Sequence, residues 1–331
     1  MKFRAWLLLA TLAGLAMALL TFGATGWSGI GAAAARIGPG GFALFCLWSL
    51  GVFGLLGAAW HVAALDEPVQ RIWLFTAARV LREAAADLLP FSQLGALVPA
   101  VRLLIAQGVP QHRVNAALLV DMTTEMTAQA VFSMTGLALF LVTVTSGPQA
   151  AHIRPLIFAG TAVMLAVMVA FVMAQRVGLT LASRLVSRIL PAGALSAAPA
   201  AADAIGAQLR IVYARPGVVA LAFAYNFLAW AGSAAGAWIA LRLMGVPAAF
   251  WAIVMIESLI FTLRSVAFMI PGALGVQELS YALLAPVAHI APEALLALSL
   301  IKRGRDVAIG VPTLLSWQWS EMRAMVTRRI S

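Results

Sequence analysis

The chain has 331 residues, 63% of them hydrophobic and only 10% charged, with a mean hydropathy of +0.97. That balance excludes a soluble globular domain and implies an integral membrane protein. The net charge of +10 is not a nucleic-acid footprint, because the basic residues gather at segment ends, where they set topology.

A spanning helix takes about 20 mostly apolar residues, and the chain holds about eight to ten such stretches. Lys2 and Arg4 followed by Trp6–Leu20 resemble a signal peptide, but an uncleaved first span over 5–24 is the better reading. A charge-poor loop, 25–41, precedes a second span at 42–64. A charged helix at 71–89 runs into Pro90, and a short helix follows at 93–107. Long spans are expected at 114–145 and 154–175. A basic connection, 176–215, splits into a surface helix at 178–190 and a Pro/Ala/Gly-rich linker at 191–202. Spans at 217–243 and 248–270 lead to Pro271, then a short helix at 274–289 and a last span at 293–317.

The fold class is therefore an all-α, polytopic membrane bundle. One transmembrane domain, 1–331, divides into halves of about 1–175 and 216–331. Basic residues near the N-terminus, in 176–215 and in the tail place both termini in the cytoplasm. Trp27, Trp60, Trp73, Trp317 and Trp319 fall near segment ends, as interface anchors do. Gly51, Gly54 and Gly57, and the pair Gly232 and Gly236, read as close helix packing.

The charges inside the greasy segments carry the chemistry. Arg79, Arg82, Glu83 and Asp87 precede Pro90, and Asp121 and Glu125 are i,i+4 neighbours. Glu257 and Arg264 precede Pro271, Glu278 follows it, and Lys302, Arg303, Arg305 and Asp306 interrupt the last span. Each central charge costs about 2.5–3.5 kcal/mol on insertion scales, so these side chains must face one another or a hydrated cavity. Pairing of Arg79 with Glu83 and of Lys302 with Asp306 is one expectation. A polar cavity for a lipid headgroup or a coupling ion is the other. Pro90 and Pro271 break membrane segments, and non-helical backbone at that depth belongs to protein-buried sites or cavities. From Pro90 to Asp121 is 31 residues, and from Pro271 to Arg303 is 32. The repeated order of charged helix, break, short helix and charged span predicts an inverted repeat with two re-entrant pairs. The four histidines show no metal spacing, and no nucleotide or nucleophile motif is present, so no cofactor, metal or catalytic residue is expected.

Residues 271–278, P-G-A-L-G-V-Q-E, resemble the P-G-G-x-G-x-x-E signature of flippase-like proteins related to the transmembrane domain of lysylphosphatidylglycerol synthase. With Arg79–Gly95, Val120–Glu125 and Ile301–Gly310, the chain is similar to the hopanoid-associated, HpnL-like branch. Ala273 stands where the signature has its second glycine, and the soluble aminoacyl-transfer domain of the synthase has no counterpart. The resemblance implies a translocator of a hopanoid or an anionic lipid in a bacterial inner membrane, with hopanoid-biosynthesis proteins as further partners and no nucleic acid. Arg79, Arg82, Arg264, Arg303 and Arg305 would attract the headgroup. Asp121, Glu125, Glu278 and Asp306 would balance that charge or bind polyols or protons, and Gly272 and Gly275 would let backbone amides approach the ligand. A lipid-modifying enzyme using Asp121 and Glu125, or a non-catalytic partner of hopanoid enzymes, are the alternatives.

Overall fold

The computed structural model describes residues 2–89, 95–145, 162, 166, 198–266 and 273–330. The two breaks with Pro90, Pro271 and Gly272, most of the expected span 154–175, and the expected surface helix 178–190 lie outside the described residues. Among the described residues there are eleven α-helices and no strand, an all-α membrane bundle.

Helix α1, Lys2–Thr25, is followed by α2, Trp27–Ala35. The two meet at 88° across Gly26, whose φ of +103° is open to glycine and strained for other residues. The expected loop at 25–41 is thus largely helical: four successive alanines, 32–35, favour a helix strongly enough to offset Gly29 and Gly31. Helix α3, Gly38–Ala63, begins with Pro39 in its first turn, where the missing N–H costs nothing.

Helix α4, Ile72–Leu88, buries Phe75, Ala78, Arg79, Leu81, Ala84 and Ala85, a stripe at helical spacing. Helix α5, Leu97–Ala106, and α6, Gln111–Thr145, complete the first half. Helix α7, Ala198–Tyr213, replaces part of the expected linker: Pro199 sits in its first turn, where proline is tolerated, and Ala, Ile, Gln and Leu beyond it favour a helix. The second half holds α8, Pro216–Leu243, α9, Phe250–Val266, α10, Val276–Leu284, and α11, Pro292–Ile330.

Among the described residues, three helices can cross a membrane by length and composition (Gly38–Ala63, Gln111–Thr143 and Pro216–Leu243), or four if the bent α1/α2 pair is one span. The stretches counted in the sequence also include 154–175, most of which lies outside the described residues. Helices α4 and α11 carry several internal charges each, while α5, α9 and α10 are short.

The halves interlock. Helix α3 packs along α8, α4 lies on α11, and α9 lies on α6, so each half's charged helix docks on the other half's long helix. Lipid tails are as apolar as leucine, so close approach of small residues holds such contacts. A Cβ on Gly236 would stand 2.8 Å from Trp48 and one on Gly232 3.1 Å from Val52, while the Gly232 carbonyl accepts from Trp48 Nε1 at 2.7 Å. Gly57 sits 2.5 Å from the Thr76 backbone by the same measure, whereas Gly51 and Gly54 have open space around them. Trp27, Trp73 and Trp319 are exposed at segment ends. Trp60 is not an interface anchor, since it is fully buried, with Phe75 of α4 edge-on to its ring.

Candidate functional site

The interlocking brings the internal charges into one belt. On α4, Arg79, Arg82 and Glu83 lie within four residues, and on α6 Asp121 and Glu125 are one turn apart. Arg79 grips Glu125 with both terminal nitrogens, Nη1 to Oε2 at 3.0 Å, and Arg82 adds Nη2 to Oε2 at 3.2 Å. Arg79 also pairs with Glu83 at 2.8 Å, the i,i+4 contact expected from the sequence. Asp121 stands farther off, at 3.5 Å from Arg79 and 3.6 Å from Arg82. Its other oxygen, Oδ1, accepts from Asn226 Nδ2 of α8 at 3.3 Å.

A second grouping surrounds the start of α10. Gly275 has φ of +80°, and its N–H donates to Glu278 Oε2 at 2.7 Å, a carboxylate reaching back to cap its own helix. Glu278 Oε1 accepts from Ser299 at 2.9 Å and from Arg303 Nε at 3.2 Å. Gln277 Nε2 donates to Ser299 at 2.8 Å, and its oxygen accepts from Arg264 at 3.0 Å. Arg264 in turn donates to Asp87 at 3.2 Å, which ties α4 to α9.

The third grouping is Glu257, which accepts from Lys302 Nζ and from the Tyr281 hydroxyl, each at 2.5 Å. Lys302 Nζ also lies 5.6 Å from the ring centres of both Phe261 and Tyr281. The expected partner Asp306 is instead held by Arg305, at 2.5 Å. One helical turn separates residues 302 and 306 on α11, but Glu257 comes from a facing helix at the level of Lys302 and takes the ammonium. The guanidinium of Arg305 also lies over the rings of Phe45 and Phe53 on α3.

A small cleft opens where α4, α11 and α3 meet. Its empty volume is about 240 Å³ counting the open mouth, and Glu83, Asp87, Arg305, Asp306, Phe53 and Gly310 are among its lining. Ligand pockets run from about 300 Å³ upward. The room inside the cleft is only about 10 Å³, space for about one water, so a headgroup would have to widen it. With three carboxylates against one guanidinium, it suits hydroxyl donors better than an anion.

The sequence pattern of the lysylphosphatidylglycerol synthase TM region matches residues 6–312. The chain belongs to that family. No curated protein and no solved structure matches it. Membership makes this lysylphosphatidylglycerol synthase TM region protein a membrane protein linked to lipid handling, and the match runs through both halves and every charged grouping.

Of the sequence-selected residues of this family member, Arg79, Arg82, Glu83, Asp121 and Glu125 form one group. Asp87, Arg264, Glu278 and Arg303 form another. Glu257, Arg305 and Asp306 sit in separate pairs along the same belt. Two expectations change. The arginines do not stand open for a headgroup, since each is ion-paired. The Gly275 amide is occupied by Glu278 rather than open to a ligand. Sequence reasoning left out Asn226, Gln277, Tyr281, Ser299 and Lys302 as site residues, all buried. Asn226 had a readable signal, being a lone amide in an otherwise apolar span. Ala273, in place of the signature glycine, adopts φ of +47°, a conformation glycine takes freely.

Proposed function

We propose that this protein moves a lipid with a hydroxyl-bearing or anionic polar headgroup, a hopanoid or an anionic phospholipid, between leaflets of the bacterial inner membrane. It acts without covalent chemistry, in association with hopanoid biosynthesis, and with both termini in the cytoplasm. The observation that carries the reading is the buried belt of charges where the two halves interlock, near the last turns of α4 and α9 and around a cleft lined by Glu83, Asp87, Arg305 and Asp306. Buried charges at this depth are expensive, and a purely structural bundle has cheaper ways to join helices. Hydroxyls of a polyol headgroup would donate to the cleft carboxylates, and a phosphate would compete for Arg305. The hopanoid link rests on the likeness of 271–278 and the charged segments to the HpnL-like branch, and the topology on the basic N-terminus, connection and tail.

The test is reconstitution of the full chain in phosphatidylcholine liposomes, with a labelled phosphatidylglycerol or a labelled polyol hopanoid in one leaflet. Wild-type protein is expected to expose the label to the other leaflet, and Glu278→Ala or Arg264→Ala to slow it. Rates equal to those of protein-free liposomes rule out the translocator, and a chemically altered lipid points to an enzyme.

A further inference from the structure

Formal charge does not close in the buried belt. Six cations face seven carboxylates. Arg264 and Arg303 balance Asp87 and Glu278. Lys302 balances Glu257, and Arg305 balances Asp306. The whole surplus falls on the first grouping, where Arg79 and Arg82 serve Glu83, Asp121 and Glu125.

Those three carboxylates are not equivalent. The Glu83 side chain is 28% exposed and lines the cleft. Glu125 is held by both guanidiniums at hydrogen-bonding distance. Asp121 is 0% exposed, and its nearest cationic nitrogens stand at 3.5 and 3.6 Å, at or beyond the limit of a good hydrogen bond. A buried carboxylate with weak pairing is stabilised by taking up a proton.

Asn226 supplies the independent observation. It is fully buried, and its Nδ2 lies 3.3 Å from Asp121 Oδ1 and 3.0 Å from Thr124 Oγ1. Its Oδ1 has no hydrogen-bond partner among the described residues. Buried polar atoms without a partner are rare and call for a reason. Turning the amide over brings Oδ1 to where Nδ2 now sits, facing Asp121 and Thr124. There it accepts the proton of a neutral Asp121. One side chain thus serves both states, donating to the carboxylate and accepting from the acid, with no backbone movement.

We propose that Asp121 is a proton-binding site, read by Asn226, and that it couples lipid movement to a proton gradient. The coupling rests on the translocator reading; the proton site does not. The proton comes from water at one membrane face, resides on an Asp121 oxygen, and leaves to water at the other face. With Asp121 neutral, Arg79 and Arg82 match Glu83 and Glu125 one to one, and the belt is uncharged overall. The charged groups facing Asp121 are Arg79 and Arg82 from α4 and Glu125 from its own helix. Helix α8 brings Asn226, and α3, α5, α7 and α9 bring no ion-pairing side chain to it among the described residues. With two guanidiniums close by, a proton fits where a metal cation would be repelled.

The experiment uses the full chain in liposomes, with aspartate carboxyl carbons isotopically labelled, and infrared difference spectra between acid and alkaline pH. Wild type should show a buried-acid C=O band that shifts with the label, vanishes in Asp121→Asn and changes frequency in Asn226→Leu. No aspartic-acid band in wild type, or one that survives Asp121→Asn, overturns the site. In the second arm, a one-unit pH gradient is imposed on vesicles carrying labelled phosphatidylglycerol. One proton per lipid gives an asymmetry of about tenfold per pH unit, and Asp121→Asn should give none. Lipid movement indifferent to the gradient, with the band present, overturns the coupling alone. No lipid movement, with the band present, overturns the translocator reading and leaves the proton site standing.

Discussion

Asp87, in the last turn of α4, accepts a hydrogen bond from Arg264, in the last turn of α9, at 3.2 Å and across 177 residues of chain. A carboxylate at a helix C-terminus faces the negative end of the dipole, so Asp87 is poorly placed on its own helix and depends on the guanidinium from the other half. The pair joins the last turns of α4 and α9. Arg264 suits the position twice over, being a cation in the last turn of α9 and a donor to both Asp87 and Gln277.

Removing one partner should therefore cost more than removing both. Arg264→Met leaves Asp87 buried beside Glu83 and Asp306 in the cleft, and we expect a loss of about 2–3 kcal/mol, below the fully buried range because both side chains keep some exposure. Asp87→Asn in the same chain should recover most of it. Thermal unfolding of the detergent-solubilised protein in a double-mutant cycle measures the coupling. Additive losses would show that the pair contributes nothing.

Glu257 is a sharper case. It is fully buried, and its two oxygens accept from Lys302 and Tyr281. Lys302→Met should destabilise by about 3–5 kcal/mol, since it strands a buried carboxylate. Tyr281→Phe removes a neutral donor and should cost about 1–3 kcal/mol. Glu257→Leu combined with Lys302→Met removes both charges but strands the Tyr281 hydroxyl, so it should recover most of the loss and stay about 1–3 kcal/mol below wild type. A double variant less stable than Lys302→Met alone would contradict this account.

Much of this was legible in the chain. Internal charges in apolar segments marked α4, α6, α9 and α11, and i,i+4 spacing gave Asp121 and Glu125 one face. What the spacing did not reveal was which half each charge would meet. Local geometry pairs Lys302 with Asp306, but the long Lys302 side chain reaches Glu257 of α9 and leaves Asp306 to Arg305. Asn226, Ser299 and Gln277 carry no charge, and their part in the belt depends on helices distant in sequence. The helix at Trp27–Ala35 was missed because a run of Ala and Gly between two spans has the composition of a loop.

The start of α10 gives a third prediction. Gly275 needs its positive φ, and a Cβ there would run into the Gly14 carbonyl and stand 2.8 Å from Met17 Cε. Helix α1 is thus pressed directly onto the α10 cap. Gly275→Ala should both strain the backbone, by about 1–2 kcal/mol, and push α1 away. Glu278→Gln should keep the cap contact but remove the charge held by Arg303. Limited proteolysis between α1 and α2 should rise in Gly275→Ala and stay near wild type in Glu278→Gln. Equal cleavage in wild type and Gly275→Ala would sink the idea that α1 rests on this cap.

Gly136 tests the contact between α6 and α9. An added Cβ would overlap the Ser258 hydroxyl, stand 2.6 Å from Ser258 Cβ and 3.3 Å from the Met255 carbonyl, and Ser258 is fully buried. Neither helix can shift without disturbing Thr262, which donates to Ser133 at 2.7 Å across the same interface. Gly136→Ala should therefore cost at least about 1–3 kcal/mol, the range for overpacking a close-packed interior. Gly54→Ala is the matched control, with nothing within 4 Å of its Cβ, and should be neutral or stabilising by up to about 1 kcal/mol. Adding Ser258→Ala to Gly136→Ala removes the hydroxyl but leaves the Cβ clash, so rescue should be partial. Thermal midpoints in one detergent decide the matter. Full rescue would mean that the hydroxyl alone sets the helix spacing, and no loss in Gly136→Ala would mean that the two helices are not in contact there.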